Sequence, residues 1–190
     1  MRNGFFIRWL VPILLATPLL AQDLEGNDTP GNWRVTFHEI HDIWNVMCDE
    51  REEQGDLVRR CYIRHVDVFS PRPKFAAQFL FVTPEVGGTG FEVDFGMEAG
   101  TVFAPGRFRI ERDGQRVWQS NWPGCLTGLD CRFANDSGAV LIDAMRAGGD
   151  FRFTFRDRHG QAQDLTWPLA EFDSAWGVFL QQSRARGLVK

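Results

Sequence analysis

The chain reads as an all-β protein: one exported sandwich stapled by disulfides, with a short helix near residues 138–147 and a C-terminal amphipathic helix. Three observations predict this. Short segments alternate, as in FRFTF at residues 151–155, which puts Phe151, Phe153 and Phe155 on one face. Turn signals such as Asp113-Gly114 separate the segments. Four cysteines follow a leader-like N-terminus, and even numbers of cysteines in exported chains are usually bridged.

The leader is MRNGFFIRWLVPILLATPLLA, residues 1–21. Arg2 and Arg8 precede an apolar run from Trp9 to Leu20, and Ala21 ends it. A basic start, a short apolar core and a small final residue describe a secretory signal peptide. The run is too short for a transmembrane span and is broken by Pro12 and Pro18. The polar QDLEGNDTPGN, residues 22–32, reads as a flexible linker, and residues 33–187 as one domain. The expected location is extracytoplasmic, periplasmic or secreted, with no transmembrane segment once the leader is removed.

Seventeen Phe and seven Trp against one Tyr give an aromatic-heavy core. The formal charge of −4 includes Arg2 and Arg8, so cleavage leaves the chain more acidic. Such a balance offers nucleic acid no general attraction, and no nucleic-acid partner is expected.

The elements follow in order. DEREEQGD, between Cys48 and Cys61, is hydrophilic and reads as a solvated loop. KFAAQFLFVT, residues 74–83, is apolar on both alternating sets, as a central strand would be. VGGTG, residues 86–90, is a turn. RFRIERDGQRVW, residues 107–118, is a hairpin whose Asp113-Gly114 turn would set Ile110 opposite Val117. NWPGCLTGLDC, residues 121–131, holds Cys125 and Cys131 in a Gly-rich excursion. NDSGAVLIDAMRAGG offers Asp136 or Ser137 as a helix cap. Its apolar face would be Val140, Leu141, Ala144 and Met145, with Gly148 as its stop. FRFTF returns as QDLTW, residues 163–167, through a loop containing Gly160. That register sets Phe153 opposite Leu165 and Phe151 opposite Trp167. The last helix carries Phe172, Ala175, Trp176, Phe179 and Leu180 at helical spacing, closed by Arg184 and Arg186.

No cysteine sits in a C-x-x-C, the spacing of zinc ribbons and thioredoxin-type redox centres. The cysteines therefore read as staples. Four cysteines allow three connectivities, and locality favours Cys48 with Cys61 and Cys125 with Cys131.

The order WNVMC (44–48), CYIRH (61–65), WPGCLTGLDC (122–131), FRFTF and LAEFDSAWGVFL (169–180) resembles the invasion-associated locus B family of bacterial exported proteins. The resemblance runs from Trp33 to Leu180. Leu169, Phe172 and Ala175 match its C-terminal L-x-G-F-x-x-A motif, with Glu171 in place of the glycine. It implies an immunoglobulin-like β-sandwich with local disulfides, and so supports the two local pairings. It brings no catalytic residues.

Catalysis is not expected from the residues either. No serine lies in G-x-S-x-G, and no P-loop or G-x-G-x-x-G is present. The expectation is a non-enzymatic binding protein of the cell envelope, needing no cofactor. Two surfaces are candidates. Arg107, Arg109, Arg112 and Arg116 cluster on one hairpin of an acidic chain, a patch suited to anionic polysaccharide of the envelope or a host surface. The alternative is a periplasmic metal site using His38 and His41 of H-E-I-H. If residues 33–41 form a strand, those two imidazoles point to opposite faces.

Overall fold

A computed structural model of the chain describes residues 32–70, 76–87, 90–97, 102–120, 131–157 and 160–190. The leader, nearly all of the linker, and Cys125 lie outside the described residues.

Among the described residues, ten strands form two antiparallel sheets. The larger has the order β1 (Arg34–His41), β2 (Trp44–Glu53), β3 (Asp56–Ser70), β4 (Ala76–Pro84), β5 (Phe91–Met97) and β8 (Cys131–Phe133). The smaller has the order β10 (Ala162–Pro168), β9 (Asp150–Asp157), β6 (Val102–Arg112) and β7 (Gln115–Gln119). Their inner faces meet through aromatic rings: Phe95 of the larger sheet lies 4.3 Å from Phe108 and 5.4 Å from Phe153, centroid to centroid. The helices α1 (Asn135–Arg146) and α2 (Phe172–Ala185) pack onto this core. Phe172 of α2 packs edge-on against the fully buried Trp44 of β2. An all-β sandwich is the architecture, and among the described residues no helix is long and apolar enough to cross a membrane.

Several elements sit where alternation and turn chemistry place them. Phe153 pairs with Leu165 and Phe151 with Trp167. Asp113 and Gly114 both have positive φ, as a type I′ turn requires, and Arg112 pairs with Gln115 across them. The α2 stripe buries Phe172, Ala175, Trp176 and Phe179, with Leu180 half-buried beside them.

Three expectations are corrected. DEREEQGD is a hairpin, not a loop: β2 and β3 pair from Asn45↔Arg64 to Glu53↔Asp56, turning at Gln54-Gly55 with positive φ at both. Ile110 faces Trp118, because a bulge between Ile110 and Glu111 leaves Val117 unpaired and 46% exposed. In α1 the cap is Ala134, with no side-chain cap bond, and the buried face is Gly138, Leu141, Ile142 and Met145, with Val140 exposed. Gly138 explains the rotation. A Cβ there would lie 2.6 Å from the Phe91 carbonyl oxygen and 2.7 Å from that of Phe133. Only glycine lets the helix backbone approach the β5 and β8 ends so closely.

The Cys48–Cys61 bridge is present and joins directly opposed residues of β2 and β3, with Cα atoms 4.1 Å apart. Cys131 is disulfide-bonded, and no described cysteine is free.

Candidate anion-binding face

The arginine cluster lies on the smaller sheet, on the face turned away from the core. Phe108 and Ile110 of β6 are fully buried, so Arg109 and Glu111 point outward, and Arg107 is exposed. Arg116 of β7 pairs with Glu111 and joins the same face. Strand β9 brings two more. Phe151, Phe153 and Phe155 point into the core, so Arg152 and Arg156 point out. Five arginines from three strands therefore share a face with the carboxylates of Glu111, Asp150 and Asp164.

The geometry sorts these arginines. Arg109 Nε lies 2.5 Å from Glu111 Oε1, and Arg152 Nη1 lies 2.7 Å from Glu111 Oε2. Arg152 also pairs with Asp164 of β10. The two guanidiniums hold the Glu111 carboxyl below the usual carboxylate range, Arg109 contributing most. Arg116 donates to Gln119 Oε1 at 2.5 Å, and Arg156 to the Gly160 carbonyl at 2.9 Å. Arg107 has no side-chain partner among the described residues.

Arg112 stands apart from the other three hairpin arginines. It donates to the carbonyls of Gly148 (3.1 Å) and Ala144 (3.3 Å), the open end of α1. A cation at a helix C-terminus satisfies carbonyls that the helix leaves unpaired. Its role here is structural, tying the hairpin to α1.

Arg152 and Arg156 are the members the hairpin reading omits. Their signal was in the sequence: FRFTFR alternates Phe with Arg152, Thr154 and Arg156. What alternation does not give is that β9 lies beside β6, which puts Arg152 directly opposite Arg109.

The histidine alternative is not supported. His38 pairs with Met47 and His41 with Trp44, on opposite faces of β1. His38 donates to Asn45 Oδ1 at 2.8 Å. His41 Nδ1 lies 3.0 Å from Ser174 Oγ at the start of α2, and its Nε2 lies 3.0 Å from Glu39 Oε1. Serine, histidine and glutamate together have the composition of a hydrolytic relay. The Glu39 contact, however, lies off the N–H direction and leaves Nε2 without a hydrogen bond. These contacts anchor α2 to the sheet edge. Among the described residues, no three His, Cys, Asp or Glu side chains are grouped to hold a metal ion.

A second polar group sits on the outer face of the larger sheet. Asp49, 3% exposed, receives Arg60 through Nε (2.6 Å) and Nη2 (3.0 Å) and the Tyr62 hydroxyl at 3.1 Å. The Arg60 guanidinium lies 3.7 Å from the centre of the Trp33 ring. Burial first, and the Asp49 charge second, push the Tyr62 phenol up.

Comparison with known proteins yields a distant structural likeness. No family model matches the chain, and no curated protein matches it. Among solved structures it is similar to the crystal structure of invasion associated protein B from Bartonella henselae, at 17% identity and a TM-score of 0.48. That match covers 78% of this chain and 99% of the other. Likeness at this level assigns neither a family nor a function.

Proposed function

We propose that the chain is an exported, non-enzymatic binding protein of the bacterial envelope, and that its contact surface is the arginine face of the smaller sheet. The observation that carries this reading is the convergence of Arg107, Arg109, Arg116, Arg152 and Arg156 on one face of a chain whose formal charge is −4. Arginine forks pair with anionic oxygens in planar, two-point contacts, so the ligand class is an anionic polysaccharide. Export rests on the leader at residues 1–21, and the Cys48–Cys61 bridge fits an oxidising compartment.

The test is retention of the mature chain on immobilised polygalacturonate. Arg107, Arg109, Arg116 and Arg156 are replaced by Gln together. Arg112 and Arg152 stay, because they tie the hairpin to α1 and β9 to its neighbours. The variant should stay folded, with a melting temperature lowered only modestly by loss of the Arg109–Glu111 pair, and should lose retention. Native retention should fall steeply with salt, since exposed charges are screened over about 8 Å at physiological ionic strength. Undiminished retention of the variant would leave the face as a solvated sheet surface.

A further inference from the structure

A cavity of about 670 Å³ lies on another part of the molecule, between the β4–β5 turn, the last turn of α1, α2 and the C-terminal tail. The volume is within the range of small-molecule sites, roughly 300–1,000 Å³. Its floor is apolar. Phe91 meets Trp176 edge-on at 4.7 Å, and Leu180 and Leu188 continue the wall.

The tail is held there by the end of α2. Gly187 has φ of 72°, its N–H donates to the Arg184 carbonyl, and the Leu188 N–H donates to the Ser183 carbonyl. This is a Schellman-type stop, and it folds Leu188 back towards the cavity.

Trp176, Leu180 and Arg184 fall four residues apart, so they stack along one side of α2. At 1.5 Å per residue the strip is about 12 Å long: an aromatic ring, an aliphatic side chain, then a cation. Arg184 is exposed and has no side-chain partner among the described residues. Lys190 of the tail adds a second exposed cation to the lining, and the remaining charges near the floor are committed. Arg146 lies 5.8 Å from the Trp176 ring and pairs with Asp173 at 2.7 Å, and Glu85 accepts the Asn135 N–H at 2.6 Å.

A smaller cavity, of about 410 Å³, lies across Phe91 and Trp176 and carries Asp136 and Asp143 on its lining. The apolar strip therefore has a free cation at one end and carboxylates beyond the other. We propose that this cavity binds a single-chain amphiphilic monoanion, a medium-chain carboxylate. Its head pairs with Arg184 and its chain lies on Leu180, Trp176 and Phe91. A second negative charge at the far end of the chain would meet Asp136 and Asp143 and be rejected.

The test is calorimetric titration of the mature chain with decanoate, decanol and sebacate, which has a carboxylate at each end. Decanoate should bind saturably, and decanol and sebacate each at least about tenfold more weakly, since a charge-assisted pair is lost or a repulsion gained. Arg184→Gln should remove the preference for decanoate over decanol, and Leu180→Trp should block both, with melting temperatures unchanged. The four-arginine variant of the smaller sheet should bind decanoate as the native chain does, which separates this site from the polysaccharide face. Absence of saturable decanoate binding would overturn the proposal. So would equal binding of decanol, undiminished decanoate binding by Arg184→Gln, or binding only to vesicles of anionic phospholipid.

Discussion

Arg109 and Arg152 stand directly opposite each other on β6 and β9, and the Glu111 carboxylate bridges them with one oxygen to each. Like charges facing across a ladder repel. The carboxylate turns that repulsion into a chain that continues to Asp164.

Glu111→Gln should therefore lower the melting temperature at neutral pH and strengthen retention on polygalacturonate, because the face loses its central negative charge. The folded-state pKa of Glu111 is depressed. Its contribution is thus present above the unfolded carboxylate pKa and is lost as pH falls through the folded value. The difference in melting temperature between variant and native chain should close in acid. A difference that persists there would mean that Glu111 acts through packing.

Asp49 can be read through the only tyrosine in the sequence. Burial and the Asp49 charge raise the Tyr62 phenol, so its ultraviolet titration should lie above the usual value of about 10. Asp49→Asn should move that midpoint down and destabilise the chain by about 1–3 kcal/mol, by leaving the Arg60 and Tyr62 donors poorly matched. An unmoved midpoint would show that burial alone sets it.

Peptide mapping without reduction should find Cys48 joined to Cys61, and Cys131 joined to Cys125. Removing the first bridge by Cys48→Ala with Cys61→Ala should cost about 3 kcal/mol on the chain-entropy model for a loop of this size. The hairpin register should survive, because the ladder from Asn45↔Arg64 to Glu53↔Asp56 does not depend on sulfur. Chemical denaturation and amide exchange would read the two effects separately.

His65 stands between Trp44 and Trp167, with ring centroids 5.5 and 4.6 Å away, and donates to the Ile43 carbonyl at 3.1 Å. Burial lowers its pKa, outweighing that hydrogen bond and the more distant Asp67 and Asp42. Because the unfolded chain then binds the proton more readily, stability should decline as pH falls below about 6.5. His65→Phe should flatten that part of the curve. An unchanged slope would place the acid sensitivity in the carboxylates.

The sequence by itself determined what depends on neighbours a few residues apart. The Phe151–Phe155 alternation, the Asp113-Gly114 turn and the Trp176 face of α2 are local periodicities, and the structure keeps all three. Tertiary structure decided what depends on which element lies beside which. DEREEQGD looked like a loop because its polar residues carry no alternation; the partner strand supplies its order, down to the pairing of Asp49 with Arg60. The α1 face turned because Gly138 permits a close backbone approach that hydrophobicity does not record. Arg112, on the same side of β6 as Phe108 and Ile110, meets the end of α1 instead of the cluster, and Arg152 and Arg156 join the cluster because β9 pairs with β6 across about forty intervening residues. Local pattern fixes which way a side chain points; non-local pairing fixes what it meets.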